Sequence, residues 1–371
     1  MRITAAVLRE FKKPYTIEEL ELEPPKTGEV LVKIAYCGYC HSDLSHLTGV
    51  LPLPLPAVIG HECSGIVEDV GPGVTKLKKG DHIVGTFSVP CGECFQCQSG
   101  NRNQCSAGYP PFLEGTLLDG TTRFRDRNGN SLHHDIFLSG FSTYTVLPEG
   151  AAIPVPLDLP LEHACLLGCC VPTGWGSVTN IAKVRPGNSV AVFGLGGVGL
   201  NVLRAAVLRQ AHPVIAVDLE ESKESLAYEF GATHFICSAK EDPVPRIQSL
   251  TEGRGAQIVF EAIGDPGAIV QAWWSTGICG KLVIPGITPM EQTTNLPLFI
   301  LPLHQRQILG SGYGDISPGI DIPNLARMAA VPDLLKLDKL VTKKFALEEI
   351  NVVAEAMAKR QVIGRWICAF E

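Results

Sequence analysis

Three groups of residues in this chain have the types and spacing to do chemistry. The first is Cys91, Cys94, Cys97 and Cys105, a C-x2-C-x2-C-x7-C run inside a stretch rich in Pro and Gly. Four thiolates in one short loop complete a tetrahedral zinc ion and leave no position for a substrate, which predicts a structural metal. Unrelated core cysteines or paired disulfides do not explain so strict a spacing. The second group is Gly194-Leu195-Gly196-Gly197-Val198-Gly199, a G-x-G-x-x-G between a buried strand pattern, Ser189-Val190-Ala191-Val192-Phe193, and a helical stretch from Leu200 to Arg209. Glycines there allow a tight turn and let the backbone approach a pyrophosphate at a positive helix N-terminus. A second strand pattern, Val214-Ile215-Ala216-Val217, ends in Asp218, 19 residues after Gly199, where an acid bonds a ribose 2′-hydroxyl. Together these predict a nicotinamide-dinucleotide site, for NAD rather than NADP. The third group is dispersed: Cys40-His41-Ser42-Asp43, Gly60-His61-Glu62 and Gly168-Cys169-Cys170. Cys40, His61 and Cys169 would give zinc two sulfurs and a nitrogen with a fourth position open. Spacing alone does not separate these three from buried core residues.

The elements that must position these groups fall into two textures. Residues 1 to about 170 carry short strand patterns punctuated by Gly and Pro, such as Glu29-Val30-Leu31-Val32-Lys33-Ile34 and Gly65-Ile66-Val67-Glu68-Asp69-Val70. These predict an antiparallel, barrel-like β domain. From about 172 to 312, apolar runs at 190–193, 214–217, 258–260 and 282–284 alternate with helical stretches, which predicts a parallel sheet with crossover helices. A further helix is predicted at roughly 347–359, before a final Arg365-Trp366-Ile367-Cys368-Ala369-Phe370. No internal repeat or low-complexity tract is visible.

Composition narrows the function classes. A chain of 371 residues can bury a large core over two or three domains. A formal net charge of −7 argues against a nucleic-acid footprint. No apolar run reaches the ~20 residues needed to span a bilayer. Thirteen cysteines without a visible export signal point to a reducing compartment and a cytoplasmic protein.

With these residues in place, the chain resembles, over essentially its whole length, the zinc-dependent alcohol dehydrogenases of the medium-chain dehydrogenase/reductase superfamily. The resemblance is carried by Gly60-His61-Glu62-x2-Gly65-x5-Gly71-x2-Val74, the four-cysteine lobe, Thr173-Gly174-x-Gly176-Ser177, the Gly-rich loop and the tail at Arg365. The texture around Asp119-Gly120-Thr121 and Val171-Pro172-Thr173-Gly174-Trp175-Gly176 looks most like the long-chain-form enzymes, including the aryl-alcohol and nicotinoprotein branches. It implies a GroES-like β-barrel catalytic domain, 1–171 with 313–371, and a Rossmann coenzyme domain, 172–312.

The resemblance also implies residue roles. Cys40, His61 and Cys169 would ligate a catalytic zinc, and Cys91, Cys94, Cys97 and Cys105 a structural one, giving two Zn2+ per chain with NAD(H). On chemistry alone Cys169 and Cys170 are equivalent; the family places its ligand after a glycine and five residues before the glycine of the Thr-Gly pair, which selects Cys169. Ser42 matches the hydroxyl that passes on the substrate proton. Asp43 is a candidate partner of the His61 ring, and Glu62 would stand behind the metal and join it transiently. Thr173 and Val198 would pack beside the nicotinamide, with Gly194, Gly196, Gly197 and Gly199 in the phosphate loop. His41 and Arg365 would face the coenzyme phosphates and Lys223 the adenosine ribose. Leu51, Phe87, Pro110 and Ile287 would surround the substrate, Ile287 bordering the coenzyme as well. His133, His134 and Asp135 occupy a nearby loop that could add polarity to this pocket, but they read first as a surface turn.

Two departures from the family pattern stand out. Ser45 occupies the position of a relay histidine, with His46 next to it, so the proton relay ends in water or shifts to His46, which otherwise reads as exposed. Position 41 is His where Arg is frequent, which would make coenzyme grip sensitive to pH near neutrality.

The implied reaction is hydride transfer from a zinc alkoxide to NAD, interconverting medium-sized apolar aryl, allylic or aliphatic alcohols and their aldehydes or ketones. A nicotinoprotein with permanently bound NAD(H), and a non-catalytic zinc and NADH-binding protein, are the competing readings. Formaldehyde–glutathione adducts fit poorly, because Tyr109 and Leu51 stand where that branch places an arginine and an acid. The implied partners are the small-molecule substrate and further copies of the chain, as a homodimer or homotetramer, with no nucleic acid and no membrane.

Overall fold

Strand Thr16–Leu22 buries only Leu20 and Leu22, which share one face, whereas Glu29–Gly38 is largely buried on both faces. The computed structural model describes residues 1–370. It divides into two compact units, Met1–Cys169 with the segment from Ser317 onward, and Cys170–Ile316.

In the first unit, strands Arg2–Leu8, Thr16–Leu22, Phe124–Arg125, Ser131–His134 and Ala57–Val58 close a barrel. Beside them lies a seven-stranded sheet ordered Ala152–Pro154, His82–Gly85, Cys63–Val70, Glu29–Gly38, Arg365–Ala369, Val341–Phe345, with Tyr144–Pro148 also paired to Glu29–Gly38. Val30, Val32, Ile34, Val67, Leu138 and Phe141 are buried between these layers. The C-terminal strand enters the middle of this sheet, pairing antiparallel with the end of Glu29–Gly38, Cys368 opposite Cys37.

The second unit is a parallel six-stranded sheet ordered His234–Cys237, Val214–Asp218, Val190–Phe193, Ala256–Glu261, Thr276–Ile284, Gln307–Gly310. In the unit's own sequence this order is 3-2-1-4-5-6, the doubly wound Rossmann order. All four residues of the central Val190–Phe193 are buried, because helices cover both faces. The two outer strands, His234–Cys237 and Gln307–Gly310, were not expected from the sequence. They are half-exposed edges, so their apolar signal is diluted by residues such as His234 and Gln307. The unit is also wider than 172–312. Helix Cys170–Gly176 packs on helix Gly197–Leu208 and on the turn Tyr313–Asp315, which draws both flanks into it.

Candidate active site

The four-cysteine lobe is built from backbone rather than core. Between Cys91 and Cys105 the only helices are Phe95–Gln98 and Arg102–Gln104, and Phe95 is 78% exposed. What converges is sulfur: the four Sγ atoms lie within 4.8 Å of one another, and Cys94 and Cys105 Sγ are 3.9 Å apart. A tetrahedral zinc with bonds of ~2.3 Å would hold sulfurs about 3.8 Å apart, so the lobe fits that ion. Backbone N–H groups of Cys91 and Cys94 donate to Cys105 and Cys91 Sγ at 3.3 Å, which favours the ionised ligands. The Ser106 hydroxyl and the Cys97 amide pull the Cys94 thiol down to about 5. All thirteen cysteines are free, so disulfides play no part.

The dispersed ligands meet in the first unit. Cys40 precedes helix His41–Thr48, His61 lies between strands Ala57–Val58 and Cys63–Val70, and Cys169 follows the turn Cys165–Gly168. Their donor atoms lie within 4.8 Å of one another and all three residues are buried. Cys170 is absent from this group; its Sγ faces Asn201 Nδ2 at 3.9 Å. Cys40 is held well below the usual thiol range, first by a hydrogen bond from Cys169, while Cys169 is pushed well up by the same bond and by burial. Two buried sulfurs thus share one proton, and a dication bound there with the His61 imidazole would take both as thiolates. Two sulfurs, one nitrogen and an open fourth position are the donor set of catalytic zinc. Ser42 Oγ lies 3.9 Å from Cys40 Sγ at the start of the same helix, and His41 beside it is exposed.

Behind the ligands sits a layer of buried charge. Asp43 Oδ2 accepts from the Cys40 amide at 2.7 Å, and its Oδ1 faces His61 Nδ1 at 3.3 Å. This leaves Nε2 of His61 for the metal. Burial lowers the basicity of His61, but Asp43 and Asp135 hold it well above the usual histidine range.

Asp135, His134 and His46 are placed differently from the sequence reading. Strand Ser131–His134 closes the barrel against Ala57–Val58, pairing His133 with Ala57 and His134 with Val58. The chain beyond it therefore runs beside Gly60 and His61 instead of forming a surface turn. Asp135 is 1% exposed, accepts from the Gly60 amide at 2.8 Å and stands 3.6 Å from His61 Nδ1. His134 is fully buried, accepts from the Arg123 amide, and is pushed down to about 3, chiefly by burial. His46 is 3% exposed: its Nδ1 donates to the Leu51 carbonyl at 2.7 Å and its Nε2 faces Asp135 Oδ1 at 3.5 Å. Both ring nitrogens face protein groups, which corrects the reading of His46 as an exposed residue. Asp135 is the functional candidate that sequence reasoning missed, and no local motif marks it.

Glu62 lies outside the three-residue ligand group, with Oε1 3.1 Å from Arg365 Nε. Arg365 also donates to the Tyr39 carbonyl at 2.9 Å and stands 3.7 Å from Cys40 Sγ. The guanidinium is 3% exposed and turned to a carboxylate and a sulfur of the ligand group. Of the expected substrate-lining residues in this unit, Phe87 sets its ring edge-on to His61 at 6.1 Å and Leu51 is half-buried. Pro110 is exposed in the short helix Tyr109–Glu114.

In the second unit the Gly-rich loop joins strand Val190–Phe193 to helix Gly197–Leu208. A Cβ on Gly199 would fall 1.8 Å from the Gly194 carbonyl, so only glycine fits. Gly196 has open space where its Cβ would be, a cradle that admits a phosphate to the helix N-terminus. Asp218 ends the next strand; it accepts from the Leu195 and Glu220 amides and pairs with Lys223 Nζ at 3.0 Å. The loop and the acid at the end of the next strand fit a dinucleotide. Thr173 is buried in helix Cys170–Gly176, Val198 is half-buried at the start of the next helix, and Ile287 is exposed beyond strand Thr276–Ile284.

Comparison with known proteins agrees with both units. Residues 26–157 match the alcohol dehydrogenase GroES-like domain and residues 197–330 the zinc-binding dehydrogenase domain. The chain is 40% identical over 354 residues to the NDMA-dependent alcohol dehydrogenase of Amycolatopsis methanolica, covering 95% of this chain and 94% of that protein. It is 38% identical over 364 residues to the S-(hydroxymethyl)glutathione dehydrogenase of a Synechocystis species, covering 96% and 97%. The crystal structure of benzyl alcohol dehydrogenase from Acinetobacter calcoaceticus superposes with a TM-score of 0.91 at 35% identity over the full length of both chains. A GroES-like unit carrying an open Cys–His–Cys set, joined to a Rossmann unit, makes this chain a member of the zinc-dependent alcohol dehydrogenases of the medium-chain dehydrogenase/reductase superfamily.

Proposed function

We propose that this alcohol dehydrogenase uses NAD(H) to interconvert medium-sized apolar alcohols, aryl, allylic or aliphatic, and their aldehydes or ketones. The observation that carries this reading is the buried Cys40–His61–Cys169 set in a chain that also presents a Gly-rich loop backed by Asp218. Zinc, when bound there, supplies a Lewis acid that makes an alcohol hydroxyl more acidic. In this reading Ser42, whose Oγ lies 3.9 Å from Cys40 Sγ, accepts that proton and hands it to water. Phe87 sets an apolar ring beside His61, and neither it nor Leu51, which this reading also sets at the substrate, carries charge for an anionic substrate. Each buried CH₂ contributes roughly 0.8 kcal/mol, so affinity should rise along an alcohol series until this apolar surface is covered. The test is kcat/KM for ethanol, hexanol, benzyl alcohol, a hydroxy acid and S-hydroxymethylglutathione with NAD. Preference for ethanol, the hydroxy acid or the glutathione adduct would overturn the substrate class.

Ser42→Ala should lower kcat/KM on the order of 10²-fold, a typical general-base contribution, with zinc content unchanged. The ring nitrogens of His46 face Leu51 and Asp135, which supports a relay ending in water. An equally large loss for zinc-saturated His46→Gln would return His46 to the relay.

Asp218 should set the coenzyme preference. A 2′-phosphate about 4 Å from an unpaired carboxylate meets roughly 4 kcal/mol of repulsion at an effective dielectric of ~20. Lys223, paired with Asp218, offsets part of this in the native protein. Asp218→Gly removes the repulsion and frees the lysine, so the NAD/NADP ratio of kcat/KM should shift toward NADP by roughly 10²-fold, about 2.7 kcal/mol. Because Asp218 also holds the Leu195 and Glu220 amides, the ratio is the readout, not the absolute rate. Equal use of both coenzymes by the native protein would remove the role.

A second reading is favoured by the relative named as NDMA-dependent. In it the coenzyme stays bound and an external acceptor reoxidises it. Coenzyme retained through desalting, and alcohol oxidation with NDMA in the absence of added NAD, would select this reading.

A further inference from the structure

We propose that Asp135 is a positioning residue for the metal ligand His61, making with Asp43 a two-carboxylate clamp whose far end is anchored by His46. The proposal rests on the reading of Cys40, His61 and Cys169 as a zinc site. Its own basis is the geometry behind that site.

A neutral imidazole ligating through Nε2 carries one proton on Nδ1, and here two buried carboxylates face that proton. Asp43 Oδ1 is 3.3 Å from Nδ1 and Asp135 Oδ2 is 3.6 Å away. One acceptor suffices to fix a tautomer. A second buried anion raises the cost of desolvation and of like-charge repulsion, which a purely structural arrangement would not retain without a cation nearby. A dication held by Cys40, His61 and Cys169 would supply that cation and acidify the imidazole N–H, and both carboxylates would stabilise the polarised ring. Each carboxylate is tied to the ligand set in a parallel way. Asp43 Oδ2 accepts from the amide of the ligand Cys40, and Asp135 Oδ2 from the amide of Gly60, the residue before the ligand His61. The remaining oxygen of Asp135 faces His46 Nε2 at 3.5 Å, and His46 Nδ1 donates to the Leu51 carbonyl. A continuous polar line therefore runs from Leu51 through His46 and Asp135 to His61.

The test separates positioning from packing. Asp135→Asn keeps an amide oxygen for the Gly60 N–H and removes the charge facing His61 and His46. Zinc binding to the full-length chain is measured by competition with a chromogenic chelator. Native protein should show two zincs, and Asp135→Asn should weaken one of them about 10- to 100-fold, the usual effect of removing an outer partner of a metal-ligating histidine. Affinity at the four-cysteine site should stay unchanged. In cobalt-substituted protein the d–d bands of the weakened site should shift. Zinc affinity within twofold of native at both sites, with unshifted bands, would overturn the proposal. If Asp135→Asn does not fold, His46→Gln carries the test: zinc release from the same site should be several-fold faster, and an unchanged rate would overturn it. Failure of the underlying site is seen separately, as two zincs retained by Cys169→Ser.

Discussion

Cys169→Ser is expected to bring alcohol oxidation down to background while leaving a folded chain that holds one zinc instead of two. Serine stays protonated at neutral pH and is a poor zinc ligand, so the site keeps only Cys40 and His61, short of the three protein ligands of catalytic zinc. The mutated residue belongs to the first unit, at the end of its Met1–Cys169 segment, and Cys170–Ile316 carries its own core of Phe193, Ile215, Val217 and Trp273. Coenzyme binding, followed by NADH fluorescence, should therefore persist when turnover is lost. Elemental analysis fixes the interpretation. A fully active native protein with one zinc per chain would show that the two clusters do not both hold metal.

Replacing a cysteine of the other cluster should have the opposite profile. Cys105→Ser is expected to lower thermal stability and solubility, with catalytic chemistry intact in whatever fraction folds. The lobe between Cys91 and Cys105 has two short helical turns and an exposed Phe95, so it has little apolar burial with which to hold itself. A zinc held by the four thiolates would supply its order, and removing one of them would forfeit most of that binding energy. A loss of about 4 kcal/mol, the scale of losing a metal site, would lower Tm on the order of 10 °C. Calorimetry and limited proteolysis check this, with cleavage expected inside the lobe. A Tm equal to native, with one zinc fewer, would mean that the lobe folds without its metal.

The two clusters differ in how much of each was written in local sequence. Cys91, Cys94, Cys97 and Cys105 span one short loop, so their spacing alone brings four sulfurs within 4.8 Å. The Gly-rich loop is equally local: strand, turn and helix follow one another, and Gly199 is fixed by a carbonyl five residues before it. The central strands of the parallel sheet were legible because both faces are covered and the runs are wholly apolar. Its half-exposed outer strands were not. For the dispersed ligands the sequence supplied candidates and, through family resemblance, a choice between Cys169 and Cys170. The tertiary structure gathers Cys169 with Cys40 and His61 and turns Cys170 toward Asn201. Of the groups around those ligands, Asp43 was named from the sequence, but the approach of Asp135 and the pairing of Arg365 with Glu62 were decided by tertiary structure. Asp135 reaches His61 because a two-residue strand, Ala57–Val58, pairs with Ser131–His134 to close the barrel, and Arg365 reaches Glu62 because the last strand inserts beside Glu29–Gly38. Spacing along a chain encodes only what a turn or a helix can bring together. Charges that converge across a closed barrel have no such spacing, and the physics that selects them, burial of a carboxylate beside one imidazole, exists only after the sheet has closed.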